Sequence, residues 1–241
     1  GDANNDGIGD LLTAGLNADL DEGGGGSLRL FYGNDQGMPD TEPDWEAGGS
    51  YQERAGNQAV IVGDLDGDGL AEMASYADHA DDFGHWIGRT YLYYGDSAKE
   101  RLPLNQPGEA SDGHFGSSLA IIPDLNGDGL TELAVGSPNA GYNLYPDFQV
   151  WVEEVRAGSV QIYMGTPTGF EQNPIQVLKG FSGHKAHDYI GGGVAPAGDF
   201  DGDGHSDLAV SAVYGDRLAT FDPEIYHGES TCGAAVNNGG V

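Results

Sequence analysis

Basic residues are scarce in this chain: nine Lys and Arg stand against 39 Asp and Glu in 241 residues, for a net charge of −30. So few cations cannot neutralise a phosphate backbone, which argues against a sequence-independent grip on nucleic acid. Cysteine is almost absent, and one residue, Cys232, excludes an internal disulfide scaffold. No apolar run approaches the roughly 18–20 residues of a membrane helix, so membrane insertion is not expected. There is no initiator Met and no charged-then-apolar leader, from which the chain is expected to be mature, trimmed or part of a longer protein. What is abundant is Gly, with 42 residues, about 17% against an average near 7%. It lacks the three-residue period of collagen. A hydrophobic content of 38%, with 12 Tyr, 8 Phe and 3 Trp, is too high for plain disorder. A charge of −30 on a folded chain is self-repulsive, so either solvated loops spread it or cations neutralise part of it.

The acids are not scattered. One nine-residue element occurs four times: Asp2-Ala-Asn-Asn-Asp-Gly-Ile-Gly-Asp10, Asp64-Leu-Asp-Gly-Asp-Gly-Leu-Ala-Glu72, Asp124-Leu-Asn-Gly-Asp-Gly-Leu-Thr-Glu132 and Asp199-Phe-Asp-Gly-Asp-Gly-His-Ser-Asp207, at intervals of 62, 60 and 75 residues. Short apolar runs precede three copies (58–63, 118–123 and 193–198) and follow all four (11–14, 73–76, 133–136 and 208–211). A third segment alternates in character at 27–33, 89–95 and 158–165, and a polar, Pro-containing stretch leads to the next repeat. These runs are four to seven residues long, β-branched and aromatic, and bounded by Gly, Asp and Pro, which predicts strands. Each repeat is then a small antiparallel sheet of three or four strands. Such a sheet cannot bury both faces alone, and stacking of sheets around an axis predicts an all-β propeller.

The chain resembles the FG-GAP repeats of integrin-α-type β-propellers, and in texture the bacterial secreted versions. The residues that carry the likeness are His114-Phe-Gly-Ser-Ser-Leu-Ala120, the loop 124–132, Leu133-Ala-Val-Gly-Ser-Pro138 and Gly158-Ser-Val-Gln-Ile-Tyr163. Tyr189-Ile-Gly191 and the weaker Arg54-Ala-Gly56 stand where the Phe-Gly pair falls in other repeats. The resemblance covers nearly the whole chain and implies a secreted, extracellular or cell-surface protein. The expected organisation is one propeller region over 1–241, with blades at about 1–50, 51–110, 111–185 and 186–241. Gly1-Asp2 aligns in mid-repeat, and Asn238-Gly-Gly-Val241 aligns with the start of a third strand. The first blade is therefore expected to lack its opening strand and the last its closing two, within a larger propeller.

The loop spacing D-x-[DN]-x-[DN]-G-x-x-[DE] aims oxygens at one centre, and Gly at the sixth position permits the sharp turn around an ion. A flexible cage of six to eight hard oxygens suits Ca²⁺. No His or Cys side chain is used, which argues against zinc. The expected side-chain ligands are Asp2, Asn4, Asp6 and Asp10; Asp64, Asp66, Asp68 and Glu72; Asp124, Asn126, Asp128 and Glu132; and Asp199, Asp201, Asp203 and Asp207. The carbonyls of Ile8, Leu70, Leu130 and His205 complete the four sites. Asn5 stands where other loops have Gly, so the first site is the weakest expectation. An EF-hand needs Glu at the twelfth position, where this chain has Thr13, Ser75, Val135 and Val210, and it needs helices where this chain has strands. Acidic turns without metal are the competing account, and fourfold recurrence weighs against it. Four Ca²⁺, with two charges each, would take the net charge from −30 to about −22.

Catalytic groupings are weaker. His79, Asp81, Asp82 and His85 cluster once, as do His184, His187 and Asp188, and loops rich in His and Asp are ordinary. Asp112 and His114 read as loop residues. Cys232 has no nucleophile context, and in a secreted protein it is expected to pair outside this stretch. The long connections 137–158 and 213–239 do not repeat, and they carry Tyr142, Tyr145, Phe148, Trp151, Phe221 and Tyr226. In an up-and-down blade they fall on the face opposite the acidic loops, where exposed aromatics suit a partner. Packing of these insertions on themselves or on a neighbouring blade is an equal alternative. The functional expectation is a non-catalytic, Ca²⁺-stabilised propeller in adhesion, scaffolding or assembly, with a protein or carbohydrate ligand or with itself. The alternatives are a propeller lyase or hydrolase on a polysaccharide and a carbohydrate-binding module.

Overall fold

The structure, a computed structural model, describes residues 1–18, 23–36, 41–80, 88–96, 101–104, 113–142, 155–156, 158–179, 189–213 and 224–226, and among these every regular element is a strand. The first sheet contains β1 (Leu11–Gly15), β2 (Ser27–Phe31) and β3 (Trp45–Gly48). The second contains β4 (Ala55–Gly63), β5 (Glu72–Ala77), β6 (Arg89–Tyr93) and β7 (Leu102–Pro103). The third begins with β8 (Ser118–Pro123) and β9 (Thr131–Ser137). A small ribbon of β10 (Gly141–Tyr142) and β11 (Val155–Arg156) interrupts it before β12 (Ser159–Tyr163). The hairpin β13 (Gly165–Thr166) and β14 (Gly169–Phe170) then leads to the outer strand β15 (Gln176–Lys179). The fourth sheet contains β16 (Ile190–Gly198), β17 (Asp207–Ala212) and β18 (Glu224–Tyr226). Every pairing within the sheets is antiparallel, and each strand lies beside its sequence neighbour in the sheet. These are blades of a β-propeller.

Alternation along each strand decides what each face meets. In β2, Leu28 and Leu30 are buried and Arg29 between them is exposed. The central strands β5, β9 and β12 are covered on both faces, because a sheet lies on each side. Three apolar clusters fill the seams between successive sheets. The first joins Leu28, Leu30 and Trp45 to Met73, Tyr91 and Tyr93. The second joins Val62, Ala74 and Leu92 to Phe115, Leu133 and Tyr163. The third joins Ile122, Val160 and Ile162 to Leu208 and Val210. Each fully buried large side chain contributes on the order of 1.5–3 kcal/mol. Phe115 and Tyr163 also meet edge to face at 6.2 Å.

The connection from one sheet to the next has a repeated form. Arg54, His114 and Tyr189 take the left-handed backbone conformation (φ 56°, 56° and 49°) just before Ala55, Phe115 and Ile190. Isolated parallel bridges then tie Gly26, just before β2, to Ala55 at the start of β4, and Gly158, just before β12, to Ile190 at the start of β16. Between the first two sheets, Arg101 adds a polar pin. Its Nη2 donates to Glu53 Oε2 at 2.6 Å and Ser50 Oγ at 2.8 Å, and its guanidinium lies 4.0 Å from the Tyr91 ring centroid.

Two expectations need adjustment. β4 and β16 start three residues before the apolar runs, because bulges between Ala55 and Gln58 and between Ile190 and Val194 interrupt the alternation. In the last sheet, β18 pairs with β17 in the register Leu208↔Tyr226, so this third position is filled before Gly239–Val241 is reached.

Candidate cation-binding loops

Each acidic loop leads into the second strand of its sheet, or into β1 in the first. The loop 64–72 shows the shared construction. Asp64 folds back to accept from Gly67 N–H at 2.7 Å and Gly69 N–H at 3.0 Å. Asp66 accepts from Asp68 N–H at 3.2 Å, and Asp68 from Leu70 N–H at 2.9 Å. Glu72 Oε2 closes the ring by accepting from Leu65 N–H at 2.7 Å. The loop 199–207 repeats the scheme, with Gly202, Gly204, Asp203 and His205 as donors and Phe200 N–H on Asp207 at 2.6 Å. The carboxylates are thus fixed by backbone donors at the wall of a tight turn.

The ninth-position acid is what a plain turn does not need. Glu72, Glu132 and Asp207 are fully buried, the charged side chains of which this is true among the described residues. One oxygen of Glu72 and one of Glu132, both Oε1, are buried with no hydrogen-bond partner, as is Asp124 Oδ1. A buried unpaired carboxylate oxygen is costly. Burial raises the pKa of Glu72, and Asp66, Asp68 and Asp64 add to the rise. Burial likewise pushes Glu132 up to about 7, with Asp128 and Asp124 contributing. Carboxylate oxygens of Asp64, Asp66 and Glu72 lie within 4.8 Å of one another, and so do those of Asp199, Asp201 and Asp203. A hard divalent cation fits this donor set, because it satisfies the orphan oxygens and the mutual repulsion together.

The other two loops deviate in part. In the loop 124–132, Glu132 accepts from Leu125 N–H at 2.5 Å, and the Asn126 amide reaches Asp128 at 2.9 Å and Met164 Sδ at 3.6 Å. In the loop 2–10, Asp10 is half-buried and both its oxygens accept, from Ala3 N–H at 2.5 Å and Gly33 N–H at 2.8 Å. Asn5 takes φ 58°, the conformation that Gly67, Gly127 and Gly202 take, which asparagine tolerates. The position-seven residues Ile8, Leu70, Leu130 and His205 are held alike, each donating its N–H to the position-five acid.

The loops also have a supporting wall that their spacing does not reveal. Gly33, Gly95 and Gly165 come just after β2, β6 and β12, the strands that pair with the strand each acidic loop leads into. A Cβ there would lie 2.4 Å from Gly9 O, 2.6 Å from Leu70 Cβ and 2.3 Å from Thr131 O respectively. The glycine that closes each third segment is the sequence signal for this close approach.

The other candidate residues are placed as follows. His79 Nε2 lies 2.9 Å from Arg54 Nη1, beside Asp78, and His114 Nδ1 lies 3.2 Å from Tyr76 Oη, so both are engaged in packing between strands. Asp81, Asp82, His85, Asp112, His184, His187, Asp188 and Cys232 lie outside the described residues, as do Tyr145, Phe148, Trp151 and Phe221. Tyr142 and Tyr226 are described by backbone alone, in β10 and β18.

Residues 115–152 match the FG-GAP repeat family model. Among curated proteins the chain is similar to integrin alpha-5 of Xenopus laevis, 33% identical over 170 residues, covering 68% of this chain and 15% of the relative. It is 32% identical to integrin alpha-V of Gallus gallus over 173 residues, 72% of this chain and 15% of that protein. With integrin alpha-10 of Homo sapiens it shares 33% identity over 142 residues, 58% and 11% of the two chains. The chain therefore spans a minor part of the length of the relatives it matches.

Proposed function

Because the chain carries FG-GAP repeats of the integrin-α type, we propose that it is a secreted or cell-surface β-propeller whose acidic loops hold Ca²⁺ and which serves adhesion or assembly without catalysis. The observation that carries the reading is the buried, unpartnered Oε1 of Glu72, set among Asp64 and Asp66. Protein groups leave that oxygen unsatisfied, and a cation would satisfy it. Asp64, Asp66, Asp68, Glu72 and the Leu70 carbonyl would hold one ion, and the corresponding residues of the other three loops would do the same. The loop 2–10 is the weakest site, since backbone donors already serve Asp10. Bound Ca²⁺ supplies positive charge that ties the loop to its strands, and the role is structural.

The partner surface lies at the opposite end of the sheets. Antiparallel strands place the connection after β5, β9 or β17 away from the acidic loop that precedes it. The long connections there carry Tyr142, Tyr145, Phe148, Trp151, Phe221 and Tyr226, and large aromatics are favoured anchors for protein or carbohydrate ligands. No helix of the described residues is long and apolar enough to cross a membrane.

Titration calorimetry of metal-stripped protein with CaCl₂ tests the reading. Roughly one ion per loop is expected, at affinities of about 10⁻⁴–10⁻³ M or tighter. Asp66→Ala should remove one site and leave the others filled. Absence of binding at millimolar Ca²⁺ would refute it. For the surface, a variant lacking 142–151, which brings the connection between β9 and β12 down to the length of the connection after Ala77, should keep the fold and lose binding on an array of immobilised proteins and polysaccharides. Retained binding would exclude this connection as the site.

A further inference from the structure

Of the four acidic loops, 124–132 alone has Gly directly after Asn at the third position. It reads Asn126-Gly127, where 64–72 and 199–207 have Asp-Gly and 2–10 has Asn4-Asn5. The loop is also held differently. Asp64 and Asp199 each accept the N–H of the glycine in fourth place, Gly67 at 2.7 Å and Gly202 at 2.8 Å. Asp124 instead takes the left-handed backbone conformation, φ 46°, which the acids opening the other loops do not, and its Oδ1 is buried without a partner. Among the described residues no hydrogen bond ties down the Gly127 N–H, and Gly127 is exposed. The Asn126 side chain beside it is fixed. Its Oδ1 accepts from Asp128 N–H at 2.9 Å, and its amide donates to Asp128 Oδ2 at 2.9 Å and to Met164 Sδ at 3.6 Å.

We propose that Asn126-Gly127 is a self-modifying site, at which the folded loop converts its own asparagine to an acid. The Gly127 nitrogen attacks Asn126 Cγ. An N–Cγ bond forms, the Gly127 amide proton passes to water, and the Cγ–Nδ2 bond breaks. The departing amine takes a proton from water and leaves as ammonia. Water then opens the five-membered imide: attack at Cγ gives aspartate, and attack at the Asn126 backbone carbonyl gives isoaspartate. The balance is one water consumed and one ammonia released. Three features favour the first step. Glycine puts no Cβ before its own N–H. The Asp128 N–H polarises the Asn126 carbonyl and already faces the oxygen on which negative charge develops. The anchored amide leaves few orientations to search. The loop 2–10 is the internal comparison, since Asp6 holds Asn4 in the same way but Asn5 brings a side chain to the attacking residue. Conversion to aspartate takes the net charge from −30 to −31, one neutral amide becoming one carboxylate, and gives 124–132 the four acids that 64–72 and 199–207 carry. Its effect on a bound Ca²⁺ rests on the calcium reading above; the reaction itself does not.

The test is incubation of the intact 241-residue chain at neutral pH in chelator, below its melting temperature, with the fold checked by circular dichroism. Samples taken over time are digested with pepsin in acid, and each peptide is weighed and assayed for isoaspartate. The peptide that contains Asn126 should gain the mass difference between NH₂ and OH, with matching release of ammonia. It should do so at least as fast as in the same chain unfolded in urea. The peptide that contains Asn4 and Asn5 should keep its mass. Asn126→Gln keeps the amide and the charge but cannot close a five-membered ring, so its peptide should show no conversion. A folded chain that keeps Asn126 intact, or converts it more slowly than the unfolded chain, would overturn the proposal. So would equal conversion at Asn4, or a mass gain in the peptide carrying Asn126→Gln. The readout needs no bound metal, so failure here is distinct from failure of the calcium reading, which calorimetry reports.

Discussion

In the loop 64–72 one carboxylate oxygen of Glu72 is buried without a partner, whereas in the loop 2–10 both oxygens of Asp10 accept backbone hydrogens, from Ala3 and Gly33. The two loops share their spacing and most of their internal hydrogen bonds. What differs is the protein around them. Glu72 opens a strand with a sheet on either side, so no water reaches its second oxygen. Asp10 precedes a strand whose first residue, Leu11, is half exposed, and the acid itself is only half-buried. The same motif is therefore a satisfied turn in one place and an electrostatic deficit in another. Burial decides which, and a sequence repeat does not record it.

The largest effect that separates the two states is removal of metal. Each filled site adds RT ln(1 + [L]/Kd), about 2.7 kcal/mol at one hundred times Kd. A chelator should therefore lower the melting temperature by well over the width of the transition. An unchanged melt, with metal removal verified, would mean that all four loops behave as the loop 2–10 does.

Next in size is a contrast that uses no metal. Arg101 joins the first two sheets through Glu53, Ser50, Tyr93 and the Tyr91 ring. Arg101→Ala leaves Glu53 half-buried and short of its cation, and should cost about 2–3 kcal/mol in urea unfolding with calcium present or absent. If the loss appears only in calcium, the pin and the loops are coupled and the comparison is too simple.

Substitutions at the ninth position are smaller and opposite in sign. Glu72→Gln removes a buried charge that repels Asp66, Asp68 and Asp64, so metal-free protein should be unchanged or slightly stabilised, and the gain on adding CaCl₂ should shrink. Asp10→Asn keeps one acceptor oxygen and turns an amide NH₂ toward the other backbone donor, so one of the two hydrogen bonds is lost and metal-free protein should lose about 1–3 kcal/mol while the calcium-dependent gain stays nearly intact. Equal responses from both variants would show that the loops are equivalent after all.

The smallest effect is in pH. Burial opposes ionisation of Glu53, but hydrogen bonds from Arg101, Ser50 N–H and Tyr91 outweigh it and hold the carboxyl below its ordinary range. A lowered folded pKa means stability that is present above the unfolded value and is lost as pH falls through the folded one. Acid unfolding monitored between neutral pH and about pH 3 should therefore begin at higher pH in Glu53→Gln than in wild type, with the difference closing once the wild-type carboxyl is protonated. Superimposable acid transitions would contradict the assignment.

Much of the architecture was legible in the sequence because loops and inner strands repeat. The spacing of Asp, Asn and Gly located four turns, and the alternation in 89–95 and 158–165 located β6 and β12. The outer strands β3, β7 and β15 were not legible: they are short and partly polar, and what pairs them is the sheet edge beside them. The early starts of β4 and β16 were hidden by bulges that break a two-residue period. At the loops, ligand types could be read from spacing, but the orphan Oε1 of Glu72 could not, since it depends on cover from neighbouring strands. Arg101 and Glu53 are 48 residues apart and belong to no motif, so their contact exists only in the fold.

The central claim is that the buried ninth-position carboxylates await a cation. Anomalous diffraction from crystals grown in CaCl₂, recorded at a long wavelength, tests it directly. The account predicts a peak in the loop 64–72 at about 2.3–2.6 Å from Glu72 Oε1 and from Asp64, Asp66 and Asp68 oxygens, with matching peaks in the other loops and the weakest in 2–10. A map without peaks, in which Glu72 Oε1 remains buried among its neighbouring acids at millimolar Ca²⁺, would contradict it.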